Sequence, residues 1–432
     1  MKIVIDADIP FIKGVFEPYC SVVYLKGAEF RRELLEDADA LIIRTRTKCN
    51  YDLLHGTSVK FIATATIGTD HIDLDYCREA GIEVSNAAGC NSGGVMQYVF
   101  TALYGLADKK GFELPPTGVH GVAAQTESQA DEPGAHAQEE SPADEPGAHA
   151  QAESQADVES ADGLSGRKDT GSKRGLKRVM GVIGVGNVGS KVANLAEYLG
   201  FEVLRCDPLK ERAQTIAFNV GELRIEDFKD YYSLEYLLEH SDIVTMHTWL
   251  DAATRGMASA KFFDTMKAGA VFINASRGEV VDEKALLDAV DKFSAVVLDV
   301  WNHEPEIDRN LIQKVDIATP HIAGYSYEGK VNGTEMSVRA VAEYFGITPL
   351  KAFETFKNDY KRIYLDFRGV NNLQISKKLT EIFPIFEDDF NLRNNPESFE
   401  KLRNNYNYRR EFYVNPTTKT TDCREGNCPG KI

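Results

Sequence analysis

Three side chains whose chemistry belongs together stand just beyond three successive apolar runs of this 432-residue chain. AVFINAS is followed by Arg277, SAVVLDVW by Glu304, and DIATP by His321. An imidazole titrates near neutral pH and can take the proton of an alcohol. A carboxylate beside it would fix one tautomer and stabilise the imidazolium that forms. A guanidinium would grip a substrate carboxylate and polarise a carbonyl as it develops. These are the groups that oxidation of a 2-hydroxy acid needs. Each alone reads as ordinary: a surface arginine, a charge at a helix start, a loop histidine. The other histidines have less behind them. His71 lies in the first part of the chain, His247 follows a strand without an acid partner, and His55, His120, His240 and His303 have no supporting context.

A second signature explains where the hydride would go. Gly184, Gly186 and Gly189 make G-x-G-x-x-G in GVGNVG, with the strand-like VMGVI before it and an amphipathic stretch from Asn187 after it. The first glycine allows a tight turn, the second lets backbone approach a pyrophosphate, and the third lets helix and strand pack closely. The helix start offers N–H groups to phosphate. Asp207 follows the next apolar run, 18 residues after Gly189, where a carboxylate accepts ribose hydroxyls and repels an added phosphate. The expected cofactor is NAD.

Parallel strands must position these groups. KIVID, SVVYL, ALIIRT, KFIATAT and EVSNA are short apolar runs separated by helical stretches, among them FRRELLEDA and LDYCREAG. A longer helix, NSGGVMQYVFTALYGLADKKG, follows, and then RVMGVIGVG, FEVLRCD, DIVTMHT, AVFINASR, SAVVLDVW and DIATPHIAG supply six more strands. Short strands alternating with helices predict parallel sheets covered on both faces. From Thr348 the composition turns aromatic and charged, which reads as a small separate module with a helical SFEKLRNNYNYRREFYV.

Between the two strand sets lies a stretch of another kind. ESQADEPGAHAQ at 127–138 and ESPADEPGAHAQ at 140–151 repeat with a 13-residue period, almost without large apolar side chains. Such a segment cannot bury a core and is expected to be disordered, with His136 and His149 copied along with the repeat. Segment 117–175 carries 12 acidic and 4 basic residues, so −8 of the net −17 belongs to it. The acidic balance argues against a nucleic-acid partner. No apolar run approaches the roughly 20 residues of a membrane span. Seven scattered cysteines imply no disulfide framework, and Cys423 and Cys428 lack partners for zinc, so no metal is expected. With no signal-peptide pattern at the start, the expected location is the cytoplasm.

GVGNVG, the Asp207 strand end, NASRGEVVD, LDVWNHEP and TPHIAGY together resemble the D-isomer-specific 2-hydroxyacid dehydrogenases. Within that family MKIVIDADIP, IIRTRTK, TATIGTDHID, AAGCNS, HIAGYSYEGK and FEKLRNNYNYRRE are most similar to a branch that oxidises a small phosphorylated hydroxy acid. The resemblance reaches from residue 1 to about 414. It implies that Arg277 anchors substrate, Glu304 pairs with the histidine and His321 is the acid/base. It also implies NAD contacts from Asn187, Val188, Asp207, Thr248, Ala275, Ser276, Arg277, Asp299 and Gly324, and substrate contacts from Thr45, Thr66 and Tyr325. Thr45, Ile67 and Trp249 depart from the usual Ser, Ala and Pro. Arg44, Arg46 and Lys48 could serve a substrate phosphate, or could form a solvated charged turn.

The fold class expected is α/β, with two doubly wound parallel-sheet domains and a small C-terminal α+β module. The substrate domain, flavodoxin-like, would take residues 1–92 and 325–347. The Rossmann NAD-binding domain would take 93–324, interrupted by 117–175. Residues 348–414 would form a dimerisation module giving a homodimer, and 415–432 a tail. Two other readings stay open on sequence: a phosphoglycerate or glycerate dehydrogenase with the same three residues, and an NAD-sensing corepressor whose site is vestigial.

Overall fold

The computed structural model describes residues 1–116, 178–219, 229–355 and 362–414. The repeat segment 117–175 and the tail 415–432, with the expectations attached to them, lie outside the described residues.

Five short runs, four of them apolar but for their ends, form the first sheet: β1 (Lys2–Asp6), β2 (Ser21–Leu25), β3 (Ala40–Ile43), β4 (Phe61–Thr64) and the more polar edge strand β5 (Glu83–Asn86). All pairings are parallel, in the order β2-β1-β3-β4-β5. Ile43 pairs with Thr64 and Thr64 with Asn86, so the loops after β3, β4 and β5 leave from one rim. Ala40–Ile43 and Phe61–Thr64 are buried throughout, as strands covered on both faces must be.

The second sheet takes β6 (Val179–Ile183), β7 (Glu202–Cys206), β8 (Ile243–Met246), β9 (Val271–Asn274), β10 (Ala295–Leu298) and β11 (Ile317–Ala318). Its order is β11-β10-β9-β8-β6-β7, again all parallel. The winding reverses between β6 and β8, and ligands bind beyond the strand ends at such a reversal. Met246, Asn274, Leu298 and Ala318 stand in register, so everything that follows β8, β9, β10 and β11 emerges along one edge.

Three long helices tie this frame together. Helix α1 (Ser92–Lys110) is apolar nearly all round and buries Tyr98, Phe100, Leu103 and Tyr104 in the core of the second sheet. It stops where Gly111 turns left-handed, at φ 72°. Helix α2 (Asn187–Tyr198) covers the same core with Val192, Ala193 and Ala196. Helix α3 (Tyr327–Phe345) is capped by Ser326, which accepts the Gly329 N–H at 3.0 Å. It returns to the first sheet and seats Val338, Val341 and Ala342 among Ile3, Ile5, Ile42 and Phe61. Where α1 has ended, Arg178 Nε donates to the Glu113 carbonyl at 3.0 Å, bringing together the two sides of the repeat segment.

The structure departs from the sequence reading in three places. FRRELLEDA forms only the 3-10 turn Arg32–Leu34, after another at Gly27–Glu29, and no α-helix. Of its buried residues only Leu35 and Ala38 stand at a helical spacing; Phe30 lies five residues before Leu35 and Leu34 is exposed, so no continuous apolar face anchors one. The second departure is SFEKLRNNYNYRREFYV, which is helical only over Phe399–Asn404. Asparagine-rich sequence ends it, and the aromatic, β-branched Phe412–Val414 becomes strand β13, parallel to β12 (Ile363–Leu365). The third concerns the C-terminal region, which has no core of its own among the described residues. Ile375, Leu379 and Phe383, on or just after helix α4 (Asn372–Ile382), lie in the core around α1; Leu392 of α5 (Ile385–Asn394) and Phe399 of α6 (Phe399–Asn404) lie in the other core of the second sheet.

Candidate active site

The glycine turn closes β6 as its spacing requires. Gly184 has φ 82°, and a Cβ there would stand 2.8 Å from the His247 carbonyl group. A Cβ on Gly189 would fall 1.9 Å from the Gly184 oxygen, so only glycine lets α2 pack this close to the strand. Gly186 differs: nothing lies within 4 Å of the Cβ it lacks, and it is the N-cap of α2 without any side-chain capping bond. Asn187 and Val188 open the helix beside this space, with donors and positive dipole facing out. Asp207 accepts Val185 N–H at 2.8 Å and Lys210 N–H at 3.0 Å, which holds its carboxylate at the mouth of the turn and leaves lone pairs for hydroxyls. Thr248 Oγ1 and Asn91 Oδ1 are buried without a hydrogen-bond partner, and Asn91 packs against Gly324. Open space, an uncapped helix start and orphaned polar atoms fit a dinucleotide. The residues present suit NAD.

A substitution separates this reading from a structural turn. Gly186→Val has φ −77° available and room for its side chain, so it should melt within about 2 °C of wild type. Its branched side chain would occupy the pyrophosphate space, and NADH affinity measured by fluorescence titration should fall at least about tenfold. Unchanged affinity would count against the site.

Beyond β9, Ala275 and Ser276 lead to Arg277. Asn274 shapes this loop by accepting Ser276 N–H and Oγ–H at 3.0 and 2.8 Å and donating to the Arg277 carbonyl at 2.9 Å. The Arg277 guanidinium reaches the loop after β4 in the other sheet. Its Nε donates to Asp70 Oδ2 at 3.1 Å, Nη1 donates to the Ser276 carbonyl at 2.8 Å, and Nη2 lies against Gly68. Thr66 is on that same loop, its hydroxyl 2.7 Å from Thr64 Oγ1. Thr45 is exposed on the loop after β3.

His321 and Glu304 are brought into direct contact. Nδ1 of His321 lies 2.8 Å from Glu304 Oε2 and 3.1 Å from Oε1, which leaves Nε2 for a substrate. Burial would raise the Glu304 carboxyl, but the His321 ring, Arg403 and the Trp301 N–H outweigh it and hold it below the ordinary carboxylate range. His321 sits at φ 56°, a left-handed backbone that a side chain adopts only where its surroundings enforce it. Asp299 does the enforcing. Its carbonyl takes His321 N–H at 2.7 Å, and its buried carboxylate takes Ile322 N–H and Ala323 N–H at 2.8 Å and Thr319 Oγ–H at 2.7 Å. The rival histidines are kept neutral by burial: His71 is pushed down to about 4 and His247 to about 3.

Tyr325 stands next in line, and around it are groups that sequence reasoning missed. Arg403 Nε donates to the Tyr325 hydroxyl at 3.1 Å, and its Nη1 lies 3.5 Å from Glu304 Oε2. The Lys330 ammonium lies 3.8 Å from the centre of the Tyr325 ring. Lys330 had a local signal, since it falls five residues after Tyr325 in HIAGYSYEGK. Arg403 is 78 residues away from its tyrosine, and FEKLRNNYNYRRE by itself gives no hint of the pairing. Of the basic trio after β3, Arg44 is half-buried and donates to the Asp8 carbonyl at 3.1 Å, whereas Arg46 makes a surface ion pair with Glu400 and Lys48 is exposed.

Comparison with known proteins agrees with this geometry. Residues 148–323 match the family model described as the NAD binding domain of the D-isomer specific 2-hydroxyacid dehydrogenases. The erythronate-4-phosphate dehydrogenase of Bacteroides thetaiotaomicron is 38% identical over 422 residues, covering 95% of this chain and 97% of its own. That of Escherichia coli (strain SMS-3-5) is 34% identical, over 95% and 92%. Among solved structures, NAD+-bound 3-phosphoglycerate dehydrogenase of Entamoeba histolytica is similar with a TM-score of 0.55 at 21% identity, over 83% of this chain and 99% of that one. The D-lactate dehydrogenase of Aquifex aeolicus, complexed with NAD and lactic acid, scores 0.54 at 22% identity, over 83% and 100%. At these identities the structural likeness speaks for the fold, and the full-length relatives speak for the family. The chain belongs to the erythronate-4-phosphate dehydrogenase family, a branch of the D-isomer specific 2-hydroxyacid dehydrogenases.

Proposed function

We propose that the protein oxidises C2 of 4-phospho-D-erythronate to (3R)-3-hydroxy-2-oxo-4-phosphooxybutanoate, a step of pyridoxal 5'-phosphate (vitamin B6) biosynthesis. The observation that carries the reading is the 2.8 Å His321–Glu304 contact on the rim of a sheet whose glycine turn suits a dinucleotide. NAD, when bound over Gly186, supplies the hydride acceptor. His321 Nε2 takes the proton of the C2 hydroxyl, and Glu304 keeps the other nitrogen protonated and stabilises the imidazolium. Arg277 binds the substrate carboxylate and polarises the carbonyl that forms at C2. Thr45, Thr66 and Tyr325 border the substrate, while Asn187, Val188, Asp207, Thr248, Ala275, Ser276, Asp299 and Gly324 border the cofactor.

No helix among the described residues is long and apolar enough to cross a membrane. The free thiols at Cys20, Cys49, Cys77, Cys90 and Cys206 suit a reducing compartment, and we extend the reading to a homodimer in the cytoplasm, joined through residues 348–414.

The discriminating measurement is NADH formation from three acids: 4-phospho-D-erythronate, 3-phospho-D-glycerate and D-glycerate. The expected kcat/KM is highest for the first by at least about tenfold. Equal turnover of all three, or preference for either three-carbon acid, would refute the assignment of substrate.

A further inference from the structure

The ring of Tyr325 is flanked by positive charge, and the carboxylate that meets this charge, Glu304, does so only through Arg403. Lys330 leaves the first turn of α3 and turns inward, its ammonium 3.8 Å from the Tyr325 ring centre and 5.3 Å from that of Tyr408. That ammonium makes no hydrogen bond or ion pair among the described residues. An ammonium drawn out of water in this way forfeits hydration that two aromatic faces only partly replace. Arg403 holds the tyrosine hydroxyl from a second element, α6, and Arg44, on the loop after β3 and bonded to the Asp8 carbonyl, lies close enough for its charge to act on Tyr325, Lys330 and Tyr408. The carboxylate in contact with Arg403 is Glu304, and it is shared with His321.

We propose that Lys330, Arg403 and Arg44, converging on Tyr325 from three elements, form the subsite that receives the phosphate of the substrate. The inference rests on the substrate class given above and adds the residues that select for it. A phosphate monoester carries nearly two negative charges and several acceptor oxygens, which suits a guanidinium fork together with a point charge. Its place in the site also follows. Arg403 spans from the partner of the acid/base to the tyrosine, so the phosphate end lies one side chain away from His321, while Arg277 and the Gly68 loop hold the carboxylate end. The electrostatics point the same way. Burial, with Arg44 and Arg403 nearby, pulls the Lys330 amine down to about 8, and Lys330, Arg403 and Arg44 pull the Tyr325 phenol down to about 8 against its burial. The Tyr325 shift reflects the three cations around the ring, and the Lys330 shift reflects first the burial of its ammonium; a bound dianion would oppose both.

The test uses the full-length protein saturated with NAD, as wild type, Lys330→Met and Lys330→Arg. Two readouts are taken: calorimetric binding of inorganic phosphate, and kcat/KM on 4-phospho-D-erythronate and on unphosphorylated D-erythronate. In Lys330→Met, preference for the phosphorylated over the plain acid should fall by about 100-fold, and phosphate affinity by at least about tenfold, with partial recovery in Lys330→Arg. Unaltered NADH binding shows that the variant is folded. Equal losses on both acids, or phosphate binding that survives Lys330→Met, would overturn the subsite. A wild type that binds phosphate through Lys330 yet does not oxidise 4-phospho-D-erythronate would instead sink the substrate assignment and leave the anion site standing.

Discussion

Replacing His321 with alanine is expected to lower kcat by about 10²–10⁴-fold while leaving NADH binding close to wild type. On the proposed mechanism the imidazole takes the hydroxyl proton, and water is a poor substitute at neutral pH. Its Nδ1 is engaged by both oxygens of Glu304, so the tautomer with Nε2 free to accept is built in before substrate arrives. Stopped-flow measurement of the first turnover separates chemistry from product release, and the loss should appear in the chemical step. A His321→Ala protein that keeps more than a tenth of wild-type kcat, with its cofactor site intact, would remove the proton-transfer role. Glu304→Gln gives a useful comparison: it keeps the shape but withdraws the charge, and its loss should not exceed that of His321→Ala.

Arg277→Ala should lower kcat/KM by about 10²–10³-fold, with a contribution from KM that the His321 variant lacks. A guanidinium that both anchors the carboxylate and polarises the forming carbonyl acts in the ground state and in the transition state. Its Nε is held by Asp70 on the loop after β4 and its Nη1 by the Ser276 carbonyl. Those two bonds leave Nη2 beside Gly68, and on the proposed mechanism this is the arm that meets the substrate. Asp70→Asn loosens this grip without removing the arginine, so its penalty should be smaller than that of Arg277→Ala. If the two variants lose activity equally, Arg277 acts only as a bridge between the sheets.

Much of this site could be read from the chain because its determinants are local. The glycine turn, the acid after the next strand and the strand-end residues each depend on a few neighbours, and parallel topology carries them to a common rim. His321 and Glu304 are 17 residues apart, bracketing a single strand. What sequence could not reveal depends on distant partners. Nothing near Arg403 shows that it will meet Tyr325, or that Arg409 will donate to the carbonyls of Ile322 and Gly94. The same holds for Asp299, which resemblance marks as a cofactor contact. Only coordinates show it also restraining the left-handed backbone at His321. The error over 399–414 has this origin too, since a short aromatic run becomes a strand only when Ile363–Leu365 is beside it.

The 3.0 Å bond from Arg178 to the Glu113 carbonyl has a practical corollary for protein engineering. Once two points of a chain are fastened side by side, the entropy of the excursion between them grows only with the logarithm of its length, by about 0.6 kcal/mol for each doubling. The closure cost between these two points therefore depends only weakly on how many residues run from 113 to 178. The same position is a natural graft point for a fluorescent or affinity domain.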